Sequence, residues 1–435
     1  MTKKFSVPRG TNDILSDQVL LWEELESKAR KILKTYGYRE IRTPIYEETA
    51  LFKRSLGQTS DVVNKQLLEL KGGSEHAQSV QAEEGLALRP EGTAAVVRSY
   101  IENSMDSQES LSKLFYLGPM FRGERPQKGR LRQFHQVGVE AIGPNSASPY
   151  LDAEVIALSV HLLEEFGIKK HNLKINSLGS KEDKARVSAW LREKLASEVE
   201  GLCEDCRSRF ERNVFRVLDC KKDACRKVVD AWVKDLPLSK ESQDYFQAVQ
   251  GALKNIGIKF EIAPHLVRGL DYYTHTVFET TAEGLGSQDA VGAGGRYSGL
   301  LHELGGNEKI NYGAIGFALG IERILLACGK SSAPTPIIDA YVIAMDAAYQ
   351  AQAFALVQQL RKSGLSADMG YGGGSIKSQM NKANKTNARF ALILGEEEMK
   401  KQTLSVKNMQ TSTQEQIPWS QIIERFKCVR IPVEN

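Results

Sequence analysis

"FYLGPMFRGERPQKGRLRQFHQVGVEAIG", residues 115–143, reads as two β-strands, 113–122 and 131–142, joined by a charged, glycine-containing hairpin loop. The loop sets Arg122, Arg125, Lys128, Arg130 and Arg132 against a single acid, Glu124. A charged loop can be no more than a solvated hairpin tip. Two details argue for more. Arginine predominates over lysine, and its planar fork grips phosphate through two parallel bonds. The second strand also has an odd face. By period two, Phe134, Gln136, Gly138 and Glu140 point the same way. A glutamine and a glutamate flanking a glycine leave space and hydrogen-bonding groups, which suits a ligand floor better than a core. His135 falls on the opposite face and is expected to be structural.

Further features extend this pattern on both sides. Upstream, "LALRPEGTAAVVR" (86–98) brings Arg89, Glu91 and Thr93 ahead of a helix. Glu91 there is favoured by the helix dipole even without a ligand. Downstream, "LVRGLDYYTHTVFET" (266–280) ends as a β-branched and aromatic strand but enters through Arg268, Gly269, Asp271 and two tyrosines. In a regular strand Arg268 and Tyr273 would face opposite sides. To share a pocket they need a turn or bulge between them, for which Gly269 is the obvious candidate. "VGAGGRYSGL" (291–300) is dense in glycine and lets backbone approach a ligand, but it lacks the third glycine of the dinucleotide fingerprint. No GxxxxGK[ST] phosphate loop occurs.

The rest of the chain sets the frame. Residues 16–36 form an amphipathic helix by period, with Ser16 or Asp17 as cap and Gly37 as stop. Segment 38–48 is strand-like but contains Pro44, which points to an edge or an interface. A helix is expected at 154–166 and a strand at 172–179. From about 180 to 260 the chain is highly charged and helical in pattern, and it looks inserted between strands. "SSAPTPI" (331–337) reads as a linker, followed by alternating strand and helix signals that imply a small α/β domain.

The chain has 435 residues, enough for two or three domains with a substantial core. A hydrophobic share of 41% and a charged share of 26% are ordinary for a globular protein. No apolar run approaches the roughly 20 residues of a membrane span, and the start lacks an apolar signal segment, so a cytoplasmic protein without membrane contact is expected. A net charge of +4 neither demands nor excludes nucleic acid, so any basic patch must be local. Four of six cysteines cluster as Cys203-x2-Cys206-x13-Cys220-x4-Cys225. Such a cluster in a cytosolic chain favours thiols or a metal over disulfides, and four thiolates suit tetrahedral zinc.

Taken in order, these motifs resemble the class II aminoacyl-tRNA synthetases, and among them the histidyl-tRNA synthetases. "IRTPIYEE" (41–48) is similar to motif 1 with its proline, Pro44. The 121–143 stretch is similar to motif 2 with Arg122, and "AIGFALGIERILLA" (314–327) to motif 3 with Arg323. "LVRGLDYYTHTVFE" and "AGGRYSGL" are similar to histidyl signatures, "PRGTNDI" (8–14) to the family's N-terminal signature, and 375–398 to its anticodon-binding domain.

The resemblance implies an α+β fold. An antiparallel sheet flanked by helices would form a catalytic domain in two parts, 1–179 and 261–330. These would be separated by a mainly helical insertion domain, 180–260, and followed by an α/β anticodon-binding domain, 336–435. It implies a homodimer that binds histidine tRNA, L-histidine and ATP, with Mg2+. The reaction would be histidyl-adenylate formation, then transfer to the tRNA 3′ end. Carried onto this sequence, Arg122 holds the α-phosphate and amino-acid carboxylate, Glu124 the adenine, and Arg130 and Arg323 the γ-phosphate. Arg268 stabilises α-phosphate charge. Glu91, Thr93 and Gln136 hold the histidine amino group, and Glu140 and Tyr273 read the imidazole, with Tyr272 also at the histidine site. The family's chemistry requires no protein-bound metal. The competing possibility is a non-catalytic histidine-sensing paralogue, the regulatory subunit of ATP phosphoribosyltransferase. Such proteins typically degrade the arginine set and lack the tail domain, and this sequence retains both.

Overall fold

A computed structural model describes residues 5–57, 60, 62–71, 85–286, 289–329, 338–372 and 374–429. The linker expected at 331–337 lies outside the described residues. The chain divides into two compact units, Met1–Ser332 and Ala333–Asn435.

The first unit is built on an eight-stranded sheet. Its order is Arg39–Glu40, Ser112–Phe121, Gln133–Pro144, Tyr312–Gly320, Ala290–Arg296, Thr274–Ala282, His171–Ser177 and Glu261–Ile262. The six inner strands pair antiparallel, as expected. The two-residue edge strands pair parallel, which the sequence did not announce. The hairpin of 112–144 supplies the second and third strands, with Gly118 opposite Gln136 and Leu114 opposite Glu140.

Alternation along Gln133–Pro144 decides which face is core. Val137, Val139 and Ala141 are buried with Phe317 and Leu319 under helices Ser16–Thr35, Pro149–Glu165 and Lys240–Asn255. Each buried valine contributes about 1.5–3 kcal/mol relative to exposure. Gln136, Gly138 and Glu140 are thereby turned to the opposite face.

Helix Ser16–Thr35 buries Leu21, Leu25, Ala29 and Ile32 at the expected period. Its cap departs from expectation: Leu15 occupies the N-cap without a side-chain bond, and Asp17 sits in the first turn, where the dipole favours it. Gly37, with φ of 79°, follows the helix end. Pro44 lies between strands Arg39–Glu40 and Tyr46–Glu48, each at a sheet edge.

The inserted region leaves after His171–Ser177 and returns where Glu261 pairs with Lys174. It holds helices Lys181–Leu195, Glu204–Arg212, Asp223–Asp230 and Lys240–Asn255. Ser180 and Asp183 form a capping box on the first. The Asp183 carboxylate also accepts from Ser239 and Ser242, which ties the start of the region to its last helix.

The second unit is a five-stranded sheet in the order Ala367–Met369, Ile338–Ala344, Ala388–Leu394, Thr403–Asn408 and Gln414–Pro418. The first three strands are parallel and the last two antiparallel to their neighbours. Helices Gln350–Lys362 and Ile376–Lys385 follow strands as the alternating pattern predicts. Among the described residues, no helix is long and apolar enough to cross a membrane.

Candidate active site

A cleft of about 190 Å3 opens on the polar face of the large sheet. Arg122, Glu124, Arg130 and Arg323 line one part of it. Glu91, Thr93, Gln136, Arg268, Tyr272 and Tyr273 line the rest. Ten of the eleven residues singled out in the sequence therefore meet in one place, although they span more than 230 positions of the chain.

The arginines are held so that their charge faces the cleft. Arg122 Nε donates to Pro90 O at 2.9 Å, and its guanidinium lies 5.2 Å from the Phe134 ring centre. Arg323, on helix Ile321–Ala327, donates to Gly129 O at 2.9 Å and Ala290 O at 2.7 Å. Burial lowers the pKa of both, yet a guanidinium stays charged. Glu124 stands between Arg122 (4.0 Å) and Arg130 (3.4 Å). Arg125 and Lys128 remain exposed outside the lining, so the loop does not act as one uniform basic patch.

Glu91 accepts from the backbone N–H groups of Thr93 (2.7 Å) and Ala94 (2.9 Å), so it starts helix Thr93–Glu102 and lines the cleft at once. Its pKa is raised by burial. Glu140 is the eleventh residue. It stands one layer behind the lining, where Thr93 Oγ1 donates to it at 2.7 Å and the Tyr297 hydroxyl at 2.5 Å. Burial pushes its carboxyl up to about 8 against those two hydrogen bonds, and the nearby Glu91 adds to the rise.

The space expected beside Gly138 is filled by protein. A side chain at Gly138 or Gly92 would collide with the Tyr116 phenol, so these glycines seat a tyrosine and not a ligand. Tyr116 and Tyr297 both line the cleft and were not singled out by sequence. The signals were there: Tyr116 shares the polar side of the hairpin, and Tyr297 ends the glycine-rich run. That run also serves packing, since a Cβ at Gly294 would strike Gly316 O and one at Gly295 would strike Thr276 O.

Residues 268–273 form no strand, and the ladder begins at Thr274. Arg268 and Tyr273 do reach the same cleft. The bend expected between them is present, at Gly269 and Leu270, with a turn at Asp271 and Tyr272. Gly269 is not in the left-handed region, whereas His275 is, at φ 47°, beside a bulge where pairing skips from Val277–Gly295 to Thr274–Arg296. The loop is then fixed by side chains of the insertion. Arg216 Nη1 donates to Gly269 O (3.1 Å), Asn213 Nδ2 to Asp271 Oδ1 (2.6 Å), and Lys184 Nζ to the carbonyls of Asp271 (2.8 Å) and Tyr273 (2.9 Å). Arg268 Nη1 meets Glu279 Oε2 at 2.5 Å. Its Nε, like Gln136 Oε1, is buried without a protein hydrogen-bond partner. Such groups are costly unless something completes them. Burial pushes the Tyr273 phenol up to about 12, so it is a neutral hydroxyl at pH 7. His135 lies on the other face, 2.9 Å from Glu322.

Residues 10–324 match the family model for histidyl-tRNA synthetase, and residues 339–429 that of the anticodon binding domain. The chain belongs to the histidyl-tRNA synthetase family. It is 45% identical over 426 residues to a histidine–tRNA ligase of Halothermothrix orenii, covering 97% of this chain and 98% of that one. A histidine–tRNA ligase from a Geobacillus species is 45% identical over 430 residues, 97% of this chain and 99% of its own. The apo histidyl-tRNA synthetase of S. aureus superposes with a TM-score of 0.78 at 36% identity, covering 98% of this chain and all of its own. As a member of this family the chain is an aminoacyl-tRNA synthetase, with ATP as substrate, and the paralogue without catalytic function is the less supported alternative.

Proposed function

We propose that the cleft activates L-histidine with ATP and passes the histidyl group to the 3′-terminal adenosine of histidine tRNA. The observation that carries this is the convergence of Arg122, Arg130, Arg268 and Arg323 with Gln136 and Tyr273 on one cleft.

The histidine carboxylate is already a nucleophile and needs no base to attack the α-phosphorus. What the step needs is alignment and neutralisation of charge on the phosphate oxygens. Arg122 holds the α-phosphate and the carboxylate, Arg130 and Arg323 the γ-phosphate, and Arg268 the charge that grows at the α-phosphate. Mg2+ arriving with ATP would supply further neutralisation of its phosphates, and Glu124, a carboxylate of the cleft lining, would be placed to face it. Glu124 also meets the adenine. Pyrophosphate leaves, the tRNA 3′-hydroxyl attacks the carbonyl of the adenylate, and AMP leaves.

Specificity rests on the ring. Glu91, Thr93 and Gln136 take the amino group, and Tyr272 packs at the histidine site. A neutral imidazole offers one N–H donor and one bare nitrogen acceptor. Glu140 accepts the N–H. Its two oxygens keep acceptor positions beyond those that Thr93 and Tyr297 use. The Tyr273 hydroxyl donates to the other nitrogen. A site of such paired groups rejects analogues that lack them by about 10⁴-fold or more.

The catalytic domain comprises 1–179 and 261–330, the insertion domain 180–260, and the anticodon-binding domain 336–435. Exposed Lys377, Lys382 and Lys385 on helix Ile376–Lys385 suit tRNA backbone contact. The protein works in the cytoplasm as a homodimer, for which exposed Ile45 and Tyr46 beside an open strand edge offer apolar surface. ATP–pyrophosphate exchange, run with each standard amino acid in turn, tests the function. Histidine alone should support exchange. No exchange with histidine would favour a sensor.

A further inference from the structure

We propose that Cys203, Cys206, Cys220 and Cys225 bind one zinc ion as a closed tetrathiolate site, and that this site braces the loop carrying Arg268 and Tyr273. The second half rests on the assignment of those two residues to the histidine site, and the first half does not.

The four Sγ atoms lie within 4.8 Å of one another, although they come from separate short elements. Cys203 precedes helix Glu204–Arg212 and Cys206 sits in its first turn. Cys220 follows the 3-10 turn Val214–Val217, and Cys225 opens helix Asp223–Asp230. In a tetrahedral site with zinc–sulfur bonds of about 2.3 Å, neighbouring sulfurs are about 3.8 Å apart. Cys203 and Cys220 are already at 3.9 Å. That is far longer than a disulfide bond of about 2.05 Å, and all four cysteines are free. Three of them are buried. The Cys203 N–H donates to Cys225 Sγ at 3.3 Å, the kind of outer contact that favours a thiolate. Four cysteines and no water position describe a structural site, not a catalytic one.

The fold explains why a staple belongs here. Helices of nine and eight residues are too short to persist in water by themselves. They pack through Leu202, Val214, Val217, Leu218 and Val229. A metal closing these two short segments adds a cross-link to that packing.

The link to function is direct. Between Cys206 and Cys220 the chain presents Asn213 and Arg216, the two residues that hold Asp271 and Gly269. Arg209 in turn donates to Arg216 O at 3.2 Å. With the cysteines gathered on an ion, this segment is fixed, and so is the path of 269–271. Without the ion that segment is loosened, while Lys184, from another helix, keeps its two bonds to the loop. Binding converts four thiols to thiolates and releases their protons, and no redox step is involved.

The test uses the full-length chain, purified without a histidine tag or chelator. Elemental analysis should find about one zinc per chain. Cobalt put in its place should show the intense thiolate charge-transfer absorption of a four-sulfur site. Four freely titratable thiols with no retained metal after zinc is supplied, a disulfide among them, or iron in place of zinc would overturn the site. This measurement needs no variant and so cannot be confused with misfolding. Stripping the metal should raise the KM for histidine on the order of tenfold, with the KM for ATP little changed, and adding zinc should restore it. A protein that holds zinc but keeps its histidine KM after stripping overturns the brace and leaves the metal site standing. An Arg268→Ala variant with normal exchange would instead overturn the site assignment on which the brace rests.

Discussion

The two walls of the cleft place their side chains by different means. On one wall, strand Gln133–Pro144 is paired along most of its length with Ser112–Phe121 on one side and Tyr312–Gly320 on the other. Gln136 and Glu140 inherit their direction from that ladder. On the other wall, 268–273 has no ladder partner. Lys184 and Arg216 hold its backbone and Asn213 its Asp271 side chain, all reaching across from the insertion. A ladder position is set by local pairing and resists change. A loop position depends on distant residues, so it can be loosened without touching the ligand.

The largest effect should come from the loop wall. Arg268→Ala removes the charge proposed to stabilise the transition state, and the rate of histidine-dependent pyrophosphate exchange should fall about 10²–10³-fold. An unchanged rate would show that this wall takes no part in the chemistry. Next come the two groups proposed to read the ring, Tyr273 on the loop wall and Glu140 just behind the ladder wall. Glu140→Gln and Tyr273→Phe should each lower kcat/KM for histidine roughly 10–100-fold while the KM for ATP stays within about twofold. If only one does so, a single wall carries recognition.

Asn213→Ala sharpens the contrast, because Asn213 lies outside the cleft lining. Loss of its hydrogen bond to Asp271 should raise the KM for histidine roughly 2–10-fold. No comparable rise is expected from an exposed residue of the same helical region, such as Lys221.

The smallest effect concerns the ladder wall alone. Folding raises the Glu140 pKa from 4.5 to about 8, so the folded chain holds a proton that the unfolded chain has released. That contribution is fully present below about pH 4.5 and is lost as pH rises through about 8. Urea unfolding midpoints of the wild type should therefore fall across this window more steeply than those of Glu140→Gln. Parallel curves would show that Glu140 stays ionised throughout.

The same contrast explains what could be read from the sequence. Period two placed Gln136 and Glu140 on the polar face and His135 on the other, since a strand flips its side chains without regard to the rest of the fold. The arginine-rich hairpin and the helix start at Glu91 were legible for the same local reason. Tyr116 was missed because its phenol fills the room left by Gly92 and Gly138, a fit visible only when strand and helix meet. The bend at Gly269 and the turn after it were legible from residue type, but the bulge beside His275 was not, because register with Ala290–Arg296 decides where an extra residue goes. The grip of Asn213 and Arg216 joins positions more than fifty residues apart, and no local pattern encodes it.

The most direct test is a crystal structure of the protein with L-histidine bound. The two walls should meet on the ring, with the Glu140 carboxylate and the Tyr273 hydroxyl each within about 2.6–3.2 Å of a different imidazole nitrogen. A ring held by neither, or by one wall with Glu140 still engaged only by Thr93 and Tyr297, would contradict the account.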